Sequence, residues 1–307
     1  MKRDANQTSG AKIQVEEGES VSAEGDSIRG RLETPRTFQL AIADGVATVT
    51  LDRAEKLNAL TLDTYRELRD TFVALQDDPL TPGPLAERAA TVRAVILTGA
   101  GAGFCSGADI DELLGQLTRM GTADILAFAR LCGETVLAMR RLRKPIVAAV
   151  NGVAVGAGAA LALAADIRIA SDLARFGFIF SRMGLSGAEM GTTWLLPRIV
   201  GLGRATELLL TGDIIDVYAA ERQGLVSRVV PGEQLMTAAR ELAVRLATGP
   251  TFAHGVTKEM LEREAHMDLG SALAAEAQAQ QICTQSLDFR EAYRAIVRQR
   301  RPRFQGR

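Results

Sequence analysis

The sequence predicts an α/β protein whose last third is mostly helical. Three observations carry that reading. Strand-length apolar runs alternate with helix-spaced segments up to about residue 201, two of those runs end in glycine-rich turns that open a helix, and from Leu202 onward apolar residues recur at helical spacing. Strands separated by helices need crossover connections, which pair them in parallel.

Along the chain, FQLAIADGVATVTLDR predicts two short strands around an Asp44-Gly45 hairpin turn. Thr61 to Gln76 sets Leu62, Tyr65, Leu68, Phe72 and Leu75 on one helical stripe. DDPLTPGPLAERAAT is a proline-broken loop. VRAVILTG is a buried strand, AGAGFCSG a loop, and ADIDELLGQL begins a helix. A helix from Ala123 to Arg141, strand PIVAAV, an Asn-Gly turn, another helix and strand DIRIA repeat the cycle. Later stretches such as ATELLLTG, YAAERQGL and EQLMTAARELAVRLA read as helices. The expected organisation is a disordered tail over 1–36, an α/β core over 37–201 and a helical region over 202–307. The tail mixes Gly, Ser and charge, with too little apolar surface to offset its ordering entropy.

Composition narrows the partners. A hydrophobic share of 47% in 307 residues fills a substantial core. A formal net charge of −1 gives no electrostatic grip on nucleic acid or an anionic membrane, so a small molecule is expected. Cys105, Cys132 and Cys283 lie in no CxxC or Cys/His ligand spacing, which implies reduced thiols, a cytoplasmic protein and no metal centre. No apolar segment follows the basic start, so the N-terminus is not read as a secretory signal and the Asn6-Gln7-Thr8 sequon carries no weight. Pro145 to Ala165 has membrane-span length, but Asn151 and three glycines interrupt it, and a buried strand, turn and helix explain it better.

Nucleotide motifs fail. Gly99-x-Gly101 meets Phe104, and Gly156-x-Gly158 meets Leu161, where a third glycine belongs; no P-loop occurs. Ser106 and Ser186 lie outside any GxSxG, and His254 and His266 are the only imidazoles, so a serine triad is a distant reading. What remains is the pair of turns after VRAVILTG and PIVAAV. Each brings glycine-rich backbone to a helix start, where amides lack intrahelical partners and the dipole is positive. Two such N–H groups aimed at one point would bind an oxyanion. The alternative is that both turns are glycine-rich only for tight helix–strand packing.

Five blocks carry a family resemblance: LDRAEKLNAL, LTGAGAGFCSGADIDEL, PIVAAVNGVAVGAGAALALAADIRIA, LPRIVGLGRATELLLTGDIIDVYAAERQGLVSRVV and SLDFREAYRAIVRQRRPRF. From about Phe38 to the end, the chain resembles the crotonase, or enoyl-CoA hydratase/isomerase, superfamily. The resemblance implies a ββα spiral core with a C-terminal helical oligomerisation region, a homotrimer or hexamer, and acyl-CoA or enoyl-CoA thioester substrates. No cofactor is implied beyond the coenzyme A of the substrate.

Carried over by position, the oxyanion donors are the N–H groups of Ala108 and Ala157, the latter replacing a common glycine. Lys56, Leu57 and Ala59, with Ser106, Gly107, Asp109, Ile110, Asp111, Gly156 and Gly158, would contact the substrate. Lys258 and Arg298 are candidates for its phosphates, with solvated surface charge as the alternative. The two glutamates that hydratases of this family use are absent, Ala160 and Phe180 standing in their places. Glu189, in GLSGAEMGTTW, is the substitute carboxylate, or else a helix-start charge. Asp111 and Glu112 read as first-turn helix charges, Asp109 also as a cap, and Asp166 as structural. Cys105 as a nucleophile and Trp194 as an acyl-pocket wall are secondary readings.

The expected activity is stabilisation of a thioester enolate, in a lyase of hydratase type first and a double-bond isomerase second. The alternatives are a silent acyl-CoA binder and a thioester hydrolase or decarboxylase.

Overall fold

A computed structural model describes residues 35–76 and 91–307. The expected tail, apart from its last two residues, and the proline-broken loop up to residue 90 lie outside the described residues.

β1 (Phe38–Ala43) and β2 (Val46–Leu51) pair antiparallel, Phe38 opposite Leu51 and Ala43 opposite Val46. Asp44 and Gly45 both take positive φ, 54° and 73°, as the two central residues of a tight hairpin turn require. α1 (Leu62–Ala74) starts at Thr61, whose hydroxyl accepts from Thr64 N at 3.2 Å, while the Thr64 hydroxyl accepts from Thr61 N. It buries Tyr65, Leu68 and Phe72, as the stripe predicts.

The next strands come in pairs that step between two sheets. β3 (Ala94–Gly99) is followed by β4 (Gly103–Cys105); α2 (Thr122–Arg141) leads to β5 (Ile146–Val150) and β6 (Val153–Val155). α3 (Ala157–Ala164) then leads to β7 (Ile167–Ser171) and β8 (Arg175–Gly177). The larger sheet has the order β1-β2-β3-β5-β7-β10 and the smaller β4-β6-β8-β9, β9 being Ile214–Asp216 and β10 Arg228–Val230. Every neighbouring pair is parallel except β1–β2 and β8–β9. This is a ββα spiral.

The three-residue strands β4, β6 and β8 are too short to show a period of two, so the sequence reads β4 as loop and β6 as helix start and does not mark β8. The longer strands explain their unbroken apolar runs. On β3, Val95 and Leu97 join the main core, while Ala94 and Ile96 face a second layer made by α7 (Leu235–Ala247) through Leu235, Ala239 and Leu242. A strand buried on both faces has no polar side to alternate with.

Between β8 and the C-terminus come α4 (Thr192–Val200), α5 (Leu202–Thr211), α6 (Val217–Arg222), α8 (Thr251–Arg263), α9 (Leu269–Gln285) and α10 (Leu287–Val297). α9 buries none of its residues, and Leu269, Leu273, Phe289, Tyr293 and Ile296 are all exposed. Among the described residues no helix is long and apolar enough to cross a membrane.

Candidate active site

The two turns singled out in the sequence lie against each other. A β-carbon built on Gly107 would fall 3.0 Å from Val155 O and 3.4 Å from Ala157 N. Gly107 also has φ +94°, a conformation open to glycine and strained for other residues. Just inside the second helix, Gly158 packs so closely on β4 that an added β-carbon would sit 2.1 Å from Cys105 O. Packing therefore demands these glycines, but it also brings two free amides together.

Ala108 forms a parallel bridge with Leu60. Leu60 N donates to Gly107 O at 2.8 Å, and Asp109 N donates to Leu60 O at 2.9 Å. The flanking residues serve Leu60, so the Ala108 N–H points to the opposite side. Ala157 is the first residue of α3, where no intrahelical carbonyl can reach its N–H. Neither amide donates a hydrogen bond among the described residues. The strained residue of the second turn is Gly156, at φ 54° and ψ −124°, its N–H anchored to Gly177 O at 2.8 Å. Ala157 itself is helical, so an alanine there retains the amide at no conformational cost.

Ala160 is fully buried in α3 and Phe180 is buried in the turn Ile179–Met183, so neither position supplies a proton-transfer group. Glu189 lies in the following loop, half-buried, and burial holds its carboxyl above the usual carboxylate range, partly offset by the Met190 N–H. Met190 has φ 49° and a buried side chain, which turns the loop inward, and Glu189 O accepts from Thr192 N at 3.0 Å. Glu189 is felt by two buried neighbours, Tyr65 on α1 and Cys132 on α2. Tyr65 also senses Cys105, three residues before Ala108, and stacks edge-on against Phe128 with centroids 5.6 Å apart. Tyr65 and Cys132 were invisible as site residues in the sequence, because each sits on an ordinary apolar helix stripe.

The segment from Lys56 to Ala59 runs beside the first turn. Ser106 N donates to Leu57 O at 2.9 Å, and Ser106 Oγ donates to Lys56 O at 3.1 Å. Leu57 and Ile110 are exposed and Ala59 is buried. Asp109 caps the π-helical turn Ile110–Leu114, accepting from Asp111 N and Glu112 N at 2.9 Å each. Those main-chain donors and Lys56 hold its carboxyl below the ordinary value. Asp109 also faces Arg53 at 3.0 Å and Lys56 at 3.3 Å. Lys56 meets Asp111 at 3.2 Å as well, and Arg53 meets Glu112 at 2.7 Å. Two cations thus serve three carboxylates, and Arg53 is a member the sequence reading missed.

Several secondary expectations are corrected. Lys258 is neither a phosphate ligand nor a solvated charge. It is 8% exposed, its Nζ lies 2.8 Å from Asp166 and donates to Met139 O at 3.1 Å. Asp166 accepts from Ile146 N at 2.8 Å, the structural role expected of it. Arg298 stays exposed beyond α10. Cys105 is fully buried, and desolvation pushes its thiol up to about 12, which removes it as a thiolate nucleophile. Ser106 and Ser186 meet no histidine, and Ser186 Oγ accepts from Ala188 N. Trp194 lines a separate cavity of about 210 Å³ by the C-terminal end of α3, with the Arg198 guanidinium 3.8 Å over its ring. No cluster of His, Cys, Asp or Glu suited to a metal ion occurs among the described residues.

The geometry is that of a ββα spiral whose two facing turns leave the Ala108 and Ala157 N–H groups unpartnered. Comparison with known proteins specifies the family. The family model for enoyl-CoA hydratase/isomerase matches residues 41–307. The 1,2-epoxyphenylacetyl-CoA isomerase of Escherichia coli K12 is 36% identical over 87% of this chain and 97% of its own. The short-chain-enoyl-CoA hydratase of Clostridium acetobutylicum is 36% identical over 83% and 92%. A crystal structure from Streptomyces coelicolor A3(2), described provisionally as an enoyl-CoA hydratase, superposes with a TM-score of 0.83 at 46% identity, covering 89% of this chain and 95% of that one. The chain belongs to the enoyl-CoA hydratase/isomerase family.

Proposed function

We propose that this protein is an acyl-CoA enzyme in which the N–H groups of Ala108 and Ala157 grip a thioester oxygen and Glu189 moves the proton. The observation that carries the reading is the contact between the two turns, which leaves both amides unpartnered on adjacent backbone. Each donor aimed at a developing oxyanion is worth about 3 kcal/mol.

One carboxylate suits one kind of chemistry best. Glu189 takes a proton from the carbon flanking the double bond of an enoyl thioester, the electron pair moves into the conjugated enolate, and the proton returns at the other end. Atoms and charge balance without water. Hydration needs a second group to position and activate water, and Ala160 and Phe180 offer none. Double-bond isomerisation is therefore the reading preferred over hydration. The missing glutamates also favour a second reading, a silent acyl-CoA binder.

The substrate is an acyl-CoA or enoyl-CoA thioester, with no further cofactor. Exposed Leu57 and Ile110 beside the first turn suit the pantetheine arm, with Lys56, Asp109 and Asp111 around it. The unpartnered apolar faces of α9 and α10 suit association into a homotrimer or hexamer, and the composition suits the cytoplasm. The test is incubation with a panel of enoyl-CoA thioesters followed by mass spectrometry and chromatography. Isomerised products of unchanged mass, abolished by Glu189→Gln, support the reading; a gain of one water identifies a hydratase, and no conversion with retained binding identifies the silent binder.

A further inference from the structure

The helix that carries Ala157 is short, and its far end holds a buried cation. α3 has eight residues, all buried. Arg168, on β7, fills the space at its C-terminus. Its Nη1 donates to Ala165 O at 2.6 Å and to Ala162 O and Leu163 O at 3.4 and 3.5 Å, while Nε donates to Leu225 O at 2.7 Å. All four acceptors are main-chain carbonyls, three of them in or just past the last turn of α3. The side chain is 6% exposed. A guanidinium buried to this degree normally meets a carboxylate directly. Here the compensating charge is the negative end of the helix, with Asp166 as the acid within electrostatic range; Arg140, the opposing cation, is paired with Asp166 at 3.4 Å and donates to Ala164 O at 3.4 Å, so Arg168 is the nearer of two cations at that end.

We propose that Arg168 is a positioning residue for the reaction: its buried charge caps the C-terminal end of α3 and strengthens the hold of the Ala157 N–H, at the opposite end, on the thioester oxygen. The inference rests on reading Ala157 as a donor. An uncapped helix this short would present its negative end to the same interior, opposing the charge that gathers on the oxygen. A positive charge there offsets that opposition, and Arg168, with the shorter contact of the two cations at that end, supplies most of it. The helix spans about 12 Å. With the guanidinium beyond one end and the oxygen beyond the other, about 16 Å separates the charges, and at an effective dielectric near 20 that is enough for about a fivefold rate change. Arginine suits the task because its planar fork reaches several carbonyls and keeps its charge when buried.

The test compares Arg168→Gln, which keeps amide donors and loses the charge, with Arg168→Lys, which keeps the charge. The readouts are kcat, KM, circular dichroism and the infrared carbonyl band of bound, carbonyl-labelled butyryl-CoA, which does not react. A folded Arg168→Gln is expected to lose about fivefold in kcat with KM within about twofold, and to move the band toward its free-solution position. Arg168→Lys, near neutral pH, is expected to stay within about twofold of the parent with the band in place. A folded Arg168→Gln with unchanged kcat and band, or equal losses in both variants with an unmoved band, overturns the proposal. If Arg168→Gln does not fold, the lysine variant decides, since burial lowers a lysine pKa and rising pH discharges it. Its band should then drift toward the free position while the parent's holds, and a flat band overturns the proposal. A band unshifted in the parent itself sinks the donor reading instead, so the two failures are distinguishable.

Discussion

Gly158 approaches Cys105 so closely that a single added methyl group would sit 2.1 Å from the Cys105 carbonyl oxygen and 2.7 Å from its Cβ. This contact holds α3 against β4 and so fixes the separation of Ala157 from Ala108. Gly158→Ala must push helix and strand apart. The expected outcome is a loss of about 2–3 kcal/mol of stability together with a fall in kcat larger than any rise in KM. Thermal unfolding and steady-state kinetics check both, and unchanged stability in the Gly158→Ala variant would refute the packing account.

The carboxyl of Glu189 has a folded-state pKa raised by burial, so it works as a base only above that value. kcat/KM should fall as pH drops through the raised pKa. The stability effect has the opposite sense. Glu189 costs nothing below the unfolded pKa of about 4.3 and becomes destabilising as pH rises through the folded value. Glu189→Gln should therefore abolish turnover while raising Tm at neutral pH, with the Tm difference vanishing near pH 4. Equal Tm values across the range would contradict the buried placement.

Asp109 behaves in the reverse manner. Its pKa is depressed, chiefly by the main-chain N–H of Glu112, so its stabilisation is present above the unfolded value of about 3.9 and fades as pH falls through the lower folded one. Asp109→Ala removes a cap and leaves Arg53 and Lys56 short of a partner. A loss of about 2 kcal/mol is expected at neutral pH. Urea unfolding at neutral and acidic pH measures it, the gap between variant and parent closing in acid.

Lys258 distinguishes a structural from a substrate-binding cation. Lys258→Met should cost about 3 kcal/mol by leaving Asp166 underneutralised, yet leave KM for an acyl-CoA substrate within about twofold. A large rise in KM without loss of stability would restore it as a phosphate ligand.

Much of this arrangement was legible in the sequence, because the glycine turns, the hairpin and the long strands each have a local cause. The Asp44-Gly45 turn and the double-faced strand β3 follow from conformational preference and apolar patterning over six or more residues. The three-residue strands β4, β6 and β8 do not, since their pairing is set by distant partners. Lys258 offers no sign of its burial in the sequence, and Arg168 is no more than one residue of a strand there, because burial of a charge depends on carbonyls and carboxylates brought in from other elements. Tyr65 and Cys132 likewise gain their neighbour Glu189 only through the fold.

The most direct measurement is a crystal structure with a non-reacting acyl-CoA thioester bound. The account predicts the thioester oxygen about 2.7–3.1 Å from both Ala108 N and Ala157 N, with the Glu189 carboxylate facing the acyl carbons next to the carbonyl. A thioester oxygen bound elsewhere, or either amide occupied by a protein carbonyl, would contradict it.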